Sequence, residues 1–160
     1  MKRFINIFIG FAAILGLTVS CEKPDMDIET ATIDPSITGE WHLQEILAEG
    51  TLVSEGLDCY MLINTDGTFE LYQKSGTQSL RFDRFTGTCA YENNILSGVY
   101  SNGKPWGSKY TVSIEGDILI LKSFNLLEVQ KYKKTTIPED VKTNCNTDTR
   151  AGAYLCDPIL

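Results

Sequence analysis

The side chains best suited to covalent or metal chemistry are a single histidine, His42, and five cysteines: Cys21, Cys59, Cys89, Cys145 and Cys156. Thiolates and imidazoles are the usual ligands of zinc, and they also serve as nucleophiles and bases in enzymes. However, no two cysteines form a C-x-x-C pair, and His42 has no second ligand at metal spacing. We therefore expect no metal site and no cofactor.

Motifs of hydrolases and nucleotide-binding enzymes are missing. The sequence contains no G-x-S-x-G, no Walker loop and no G-x-G-x-x-G. A Ser–His–acid triad would have to use His42, and nothing marks a partner serine. Asp66 lies in a turn, and Glu70 alternates with Phe69 and Leu71, so the two acids do not face each other as a glycosidase requires. We predict that the protein is not an enzyme.

Cys21 differs from the other cysteines because it follows an apolar segment. Lys2 and Arg3 precede residues 4–17, which are almost wholly apolar, and the short side chains of residues 18–20 follow. A basic start, an apolar run of about 7–15 residues and small residues before a cut are typical of a secretory signal peptide. The alternative, an uncleaved anchor helix, is disfavoured because a spanning helix needs about 20 apolar residues.

The stretch Leu17-Thr18-Val19-Ser20-Cys21 resembles a bacterial lipobox in the looser form of Bacteroidetes. This resemblance implies that residues 1–20 are a lipoprotein signal peptide, and that Cys21 becomes acylated on its sulfur and on its new amino terminus. Two or more acyl chains anchor a protein stably, at about 0.8 kcal/mol per buried CH₂. The acidic residues at 22, 25 and 27 resemble signals that export some Bacteroidetes lipoproteins. We expect a lipid anchor in the outer membrane and exposure at the cell surface.

The composition of the mature chain limits its partners. Removing residues 1–20 leaves 140 residues and changes the net charge from −7 to −9, because two basic and no acidic residues are lost. An acidic chain is unsuited to nucleic acid, and its length suits one domain. Four cysteines remain in an exported chain, which predicts two disulfides with three possible connectivities.

The periodicity of the chain predicts an antiparallel barrel. Residues 21–36 are polar and contain two prolines, which is typical of a flexible tether. Eight short strand-like stretches follow, separated by turn signals such as "NTDG" and "ENN". Such a meander avoids bare edges by closing, so residues 37–136 are predicted to form an eight-stranded up-and-down barrel. Residues 137–160 are predicted to form an irregular tail over the barrel surface.

Several segments carry a family resemblance. Gly39-Glu40-Trp41 resembles the G-x-W that opens lipocalin barrels, and "LINTDGTFELYQ" and "EVQKYKKTTIPEDV" resemble small lipocalin-like lipoproteins of gut Bacteroidetes. The resemblance covers roughly residues 37–141. It implies a lipocalin-like barrel in which a basic side chain of the last strand, here Lys131 or Lys133, covers Trp41.

Apolar side chains at strand period form the candidate pocket or core: Trp41, Phe69, Leu71, Phe85, Tyr110, Val112 and Ile114. An eight-stranded barrel is just wide enough for side chains or one small ligand, and we favour a filled or nearly filled interior. Trp106 lies in a loop and is expected to pack under the rim, contributing less than Trp41.

The family resemblance favours non-catalytic binding of a small apolar or amphipathic ligand in the barrel mouth. The alternative is a structural or partner-binding accessory module of a cell-surface complex. An open apolar cavity would favour the first function, whereas a packed interior with an exposed aromatic patch would favour the second.

Strand directions constrain the disulfides. With the "NTDG" hairpin centred near residue 65, Cys59 lies opposite Tyr72, and Tyr72 lies opposite Phe82. Cys89 is then seven residues further along, over about 20 Å, whereas a disulfide needs Cα atoms about 4.4–6.8 Å apart. We therefore expect each barrel cysteine to pair with Cys145 or Cys156. The competing arrangement is a local Cys145–Cys156 loop with two barrel thiols.

The lipid anchor is tested by replacing Cys21. We expect Cys21→Ala to abolish metabolic labelling by a palmitate analogue, and to release the protein from the membrane or leave it as an uncleaved precursor, because the sulfur that carries the lipid is lost. Labelling of the variant equal to that of the wild type would contradict the assignment.

Overall fold

The computed structural model describes residues 32–76, 80–147 and 157–160. The predicted signal peptide, Cys21, most of the predicted tether and Cys156 lie outside these residues. The elements are β1 Gly39–Ala48, β2 Thr51–Leu52, β3 Leu57–Ile63, β4 Thr68–Ser75, β5 Phe82–Glu92, β6 Ile95–Tyr100, β7 Tyr110–Glu115, β8 Ile118–Ser123, β9 Glu128–Lys134, α1 Glu139–Thr143 and β10 Cys145–Asn146. Among the described residues, no helix is long and apolar enough to span a membrane.

Eight of the strands close into a ring. Successive antiparallel pairs run β5-β4-β3-β1-β9-β8-β7-β6, and β5 also pairs with β6. The predicted eight-stranded antiparallel barrel is therefore confirmed. The short strands β2 and β10 lie outside the ring, where β2 pairs with β1 and β10 pairs in parallel with β5.

Tight turns set the register of the ring. Between β5 and β6, Asn93 and Asn94 have φ angles of 52° and 63°, which a two-residue hairpin of the primed type requires and which asparagine tolerates. Between β1 and β2, Glu49 and Gly50 also have positive φ angles, of 50° and 81°. The turn signals in the sequence therefore fall where the chain reverses.

Trp41 closes one end of the barrel. Its indole Nε1 donates a hydrogen bond to the Ile37 carbonyl at 3.0 Å, and the Lys134 Nζ lies 4.3 Å from the ring centroid. Lys134 also donates to the Thr38 carbonyl at 2.5 Å. Gly39 leaves room for this lysine, because a Cβ there would lie 2.9 Å from its Nζ.

The lysine that covers Trp41 differs from the two expected from the family resemblance. Trp41 pairs directly with Lys134 across β1 and β9, with the register shifting between Leu43 and Glu45. The Lys131 Nζ instead lies 2.6 Å from the Glu45 carboxylate, and the Lys133 Nζ lies 3.8 Å from the Asp117 carboxylate. The prediction of Lys131 or Lys133 was therefore wrong.

The domain begins before residue 37. Ile33 and Ile37 are both buried in the main core, and the Ile33 amide donates to the Thr65 carbonyl at 3.0 Å. These two side chains seal the end of the barrel beside Trp41. The predicted tether, residues 21–36, therefore ends four residues too late. Two isolated isoleucines in a polar stretch form no periodic pattern, so the sequence did not indicate that they belong to the domain.

The chain after β9 is more ordered than predicted. Ile137 and Val141 of the α1 region pack on the outer face of the barrel, against Tyr72 and Phe82. Glu40, the middle residue of the G-x-W motif, fixes this segment: it accepts from the Lys142 Nζ at 2.6 Å and from the Ile137 amide at 2.8 Å.

The pH dependence of stability tests this contact. Burial alone would raise the pKa of Glu40, but the bonds from Lys142 and the Ile137 amide outweigh it and lower the pKa below its ordinary value of 4.5. A lowered carboxyl pKa stabilises the fold above about pH 4.5, and the effect is lost as the pH falls through the folded-state pKa. We expect Glu40→Gln to reduce the unfolding free energy at pH 7 by about 1 kcal/mol, and to flatten the acid limb.

Urea midpoints between pH 3 and pH 7 measure this. Glu92→Gln makes the same charge change on an exposed side chain and is the control. If both variants lose the same unfolding free energy between pH 7 and pH 3, a role for Glu40 is contradicted.

Candidate functional site in the barrel mouth

The end of the barrel opposite Trp41 is here called the barrel mouth. Ala48 pairs with Glu128, and Tyr110 pairs with Ser123, so residues 107–109 and 124–127 meet at this rim. The Asn125 side chain donates to the Gly107 carbonyl at 3.3 Å and ties the two loops together.

Most of the predicted interior residues lie in one buried cluster, namely Trp41, Phe69, Leu71, Phe85, Tyr110 and Val112. Ile114 does not belong to it. It shares the strand face of Tyr110 and Val112, but it is 38% exposed near the end of β7, where the neighbouring turn no longer covers it. Ile114 is therefore neither a core residue nor a pocket residue.

Trp106 fills part of the interior. Its ring lies edge-on to Phe69 at 5.0 Å and to Tyr110 at 6.2 Å between centroids. It sits directly over Gly98, where a Cβ would approach the indole to 2.4 Å. Trp106 belongs to the same buried cluster as Trp41, so the expectation that it contributes much less than Trp41 is withdrawn.

Residues 157–160 lie at the mouth: Asp157 is exposed, Pro158 and Ile159 are partly buried, and Leu160 reaches the interior. Leu160 is 3% exposed and belongs to the main core cluster. Gln73, which is 2% exposed, donates its side-chain amide to the Asp157 carbonyl at 2.9 Å and accepts from the Ile159 amide at 3.0 Å. The predicted path of the tail over the barrel surface is therefore wrong for its last residues.

Two further inward side chains hold the same segment. Gln130, fully buried, donates to the Ile159 carbonyl at 3.2 Å, and the Tyr100 hydroxyl donates to the Leu160 carbonyl at 2.9 Å. The Gln130 amide is itself positioned by the Tyr132 hydroxyl, which donates to its Oε1 at 2.6 Å. The polar groups of the mouth thus form a connected set.

Sequence reasoning missed both glutamines. Gln73 continues the inward alternation of Phe69 and Leu71, and Gln130 lies two residues from the inward Tyr132. A glutamine on the buried face of a strand needs hydrogen-bond partners inside the protein. A glutamine that interrupts an otherwise apolar strand face was therefore the sequence signal for a buried polar contact.

The interior donors are neutral. Burial raises the pKa values of Tyr100, Tyr110 and Tyr132, so all three hydroxyls keep their protons at physiological pH. The Tyr110 hydroxyl has no hydrogen-bond partner of good geometry among the described residues, although Gln130 lies near enough to offset part of its pKa rise. The mouth therefore suits uncharged polar groups on an apolar body.

The expected pairing of Cys145 with a barrel cysteine is not found. Cys59 and Cys89 lie in the interior cluster, whereas Cys145 packs on the outer face beside Phe82. Cys89 lies seven residues beyond Phe82 on β5, about 23 Å away. No disulfide bond joins these three cysteines to one another. A pairing of Cys145 with Cys156 stays a prediction, because Cys156 is outside the described residues.

The expected separation of Cys59 from Cys89 is found, with a shifted register. Cys59 pairs with Gln73 and Gln73 with Asp83, which leaves Cys89 six residues further along β5. Burial and the charge of Asp66 raise the pKa of the Cys89 thiol to about 11, so it stays protonated at neutral pH. Its chemistry is therefore that of a small apolar side chain.

His42 lies on the outer face of the barrel. Its Nε2 is 3.0 Å from Asp58, its ring stacks on Tyr60 at 4.3 Å, and its Nδ1 is 3.4 Å from the Gln44 amide. No hydroxyl or thiol of the described residues hydrogen-bonds to the ring. The described part of the chain also contains no group of three or more His, Cys, Asp or Glu side chains that could hold a metal ion.

A groove of about 490 Å³ lies on the outside of the barrel, across β4, β5 and β6. Thr68, Thr86 and Thr88 line it together with the ion pair of Glu70 and Arg84, whose charged atoms are 2.8 Å apart. The groove is wide and open, and Tyr100 also contributes to its lining.

A closed antiparallel barrel of eight strands with an apolar interior is the architecture of lipocalin-like proteins. Residues 37–121, more than half of the 160-residue chain, match the model of the lipocalin-like domain family. The chain therefore belongs to the lipocalin-like domain family.

Two solved structures resemble the fold. The lipoprotein YedD from Klebsiella pneumoniae subsp. pneumoniae MGH 78578 is 12% identical with a TM-score of 0.45, and the match covers 71% of this chain and 83% of that protein. The fluorescent protein UnaG is 11% identical with a TM-score of 0.37, and the match covers 62% of this chain and 98% of UnaG. A comparison with curated protein sequences gave no significant match.

A double-mutant cycle tests the packing of Trp106 on Gly98. We expect Trp106→Ala to cost about 3–5 kcal/mol of unfolding free energy, as Trp41→Ala should, because both remove a large buried aromatic side chain. Gly98→Ala should cost about 1–3 kcal/mol by overpacking. In the Trp106→Ala background, Gly98→Ala should cost almost nothing, because the clashing ring is gone.

Urea unfolding measures the four free energies. Gly107→Ala is the control, because a Cβ there would lie 4.0 Å from its nearest neighbour, the Leu160 backbone oxygen. Additive costs for Gly98 and Trp106 would contradict the contact.

Proposed function

We propose that this protein is a lipid-anchored, non-catalytic binding protein whose barrel mouth takes a small apolar or amphipathic ligand. The observation that carries the proposal is the seating of residues 157–160 inside the mouth, with Leu160 in the core and polar bonds to Gln73, Gln130 and Tyr100. The mouth buries one apolar side chain and hydrogen-bonds the backbone beside it, and a small apolar or amphipathic ligand presents groups of the same kind. Membership of the lipocalin-like family supports the same function.

The lipid anchor and the location follow from the amino-terminal sequence. Cys21 at the end of an apolar segment supports acylation, and the acidic residues that follow support export to the outer face of the outer membrane. A domain held at a membrane by two or more acyl chains meets lipid-derived and amphipathic molecules at high local concentration.

The non-catalytic part of the proposal is supported by the surroundings of His42. The ring has an acidic partner in Asp58 but a glutamine amide on its other nitrogen, where a nucleophile would have to lie. The chemistry of the mouth is likewise that of neutral hydrogen-bond donors.

A second candidate function is partner binding through an apolar rim. Exposed apolar side chains gather on two adjacent loops beside the mouth, and the Glu49 amide joins these loops by donating to the Leu127 carbonyl at 3.1 Å. The rim consists of Leu52, Val53, Phe124, Leu126 and Leu127. Exposed apolar groups of this kind mark contact surfaces in soluble domains.

Native mass spectrometry of protein extracted gently from its membrane tests both functions. We expect the lipid-modified chain to carry a small-molecule adduct, and a Tyr100→Phe, Gln130→Leu variant to lose that adduct because two of the mouth's hydrogen bonds are gone. A Tyr91→Phe, Gln44→Leu variant makes the same changes outside the mouth and should keep it.

A co-purified protein without any small-molecule adduct would favour the rim as the functional surface. An adduct that survives in the mouth variant would contradict the position of the ligand site.

A further inference from the structure

The bonds made by Gln73 identify the chemistry that the mouth recognises. Its amide donates to the carbonyl of Asp157 and accepts from the N–H of Ile159. In an extended chain these two backbone groups point to the same side. The single side-chain amide of Gln73 can therefore make both hydrogen bonds that the backbone of an adjacent strand would make. Pro158 lies between them, and its missing N–H is not needed for this pairing.

The next bonds also go to the backbone. Gln130 donates to the carbonyl of Ile159 and Tyr100 to that of Leu160. Three of these four contacts address peptide groups and the fourth addresses the backbone oxygen of Leu160, so none depends on a particular side chain. The burial of Leu160 adds a requirement for an apolar residue. The set is matched to a short extended peptide with an apolar side chain at the inner position.

Two buried donors of the described residues are left over, the Trp106 indole Nε1 and the Tyr110 hydroxyl. The Tyr110 side chain is fully buried, and its hydroxyl has no well-formed hydrogen bond among the described residues. Its ring packs on Trp106 and its hydroxyl lies near Gln130, one of the side chains that hold the segment. Residues 157–160 thus leave unused a donor that a bound molecule can engage.

We infer that the barrel mouth is a binding site for short, extended, apolar peptides, and that residues 157–160 are its intramolecular occupant, which a ligand must displace. This inference rests on the proposed function and names its ligand class. A tethered segment has an effective concentration on the order of millimolar. A free peptide of similar affinity must therefore exceed that concentration to displace the segment.

The test uses the full chain and a fluorescent peptide, acetyl-Asp-Pro-Ile-Leu-amide. The Ile159→Asp, Leu160→Asp variant should release the segment, because an aspartate cannot stay charged in the apolar core without a partner. We expect this variant to bind the peptide at least about tenfold more tightly than the wild type does. Leu80→Asp, Val99→Asp adds the same charges at exposed positions outside the mouth and the rim, and should bind like the wild type.

Recognition by Gln73 is tested in the released variant. Adding Gln73→Leu should weaken peptide binding by about tenfold or more, because both backbone bonds disappear. Adding Gln44→Leu, which removes an exposed glutamine on the outer face, should leave the affinity unchanged. Equal affinities in the two variants would overturn the inference.

A fluorescent fatty acid, measured in parallel, separates this inference from the proposed function. Binding of the fatty acid without the peptide by the released variant would overturn peptide recognition and keep the ligand site. Binding of neither would overturn both. If the released variant does not fold, wild-type protein with millimolar peptide gives the answer: hydrogen exchange of the Ile159 amide should accelerate, and unchanged protection would overturn displacement.

Discussion

The pairing of β5 with β6 closes the ring, and the interior depends on it. At this seam Gly87 pairs with Tyr100, and a Cβ on Gly87 would lie 2.1 Å from the Val99 carbonyl. Only a glycine lets the two backbones approach this closely. Closure removes the free edges of the sheet, and with eight strands it fixes a lumen that is just wide enough for side chains or a small ligand.

A lumen of this size must be filled, and the chain fills it unevenly. Glycines at 87 and 98 make room for Phe69 and Trp106, so one part of the interior is packed with aromatic rings. The mouth instead carries the buried polar side chains of Gln73 and Gln130. Buried amides need partners, and so do the backbone groups of residues 157–160 once they leave water. The glutamine side chains and the backbone groups of residues 157–160 supply each other's hydrogen-bond partners. This explains why a segment without strand neighbours is ordered there.

The sequence predicts the parts of this fold that are local. The stretch "LDCYMLI" matches β3 at both ends, and "ILSGVY" matches β6, because hairpins join adjacent strands and alternation marks their faces. Non-local features escaped it. The lysine over Trp41 depends on an irregularity between Leu43 and Glu45 in the pairing of the first and last ring strands, which no local pattern reveals. Ile33 and residues 157–160 are single apolar positions in polar stretches, so their burial leaves no period to detect.

The two ends of the barrel differ in how firmly they are closed. At the Trp41 end the sealing residues continue directly into β1, so the strand holds them in place. At the mouth, residues 157–160 gain about 1.5–3 kcal/mol from burying Leu160 and about 1 kcal/mol from each of four hydrogen bonds. Fixing four residues costs about 1–2 kcal/mol each in backbone entropy. These contributions nearly cancel, so the segment is held only weakly. A molecule that makes the same bonds and also engages Tyr110 has the advantage needed to replace it.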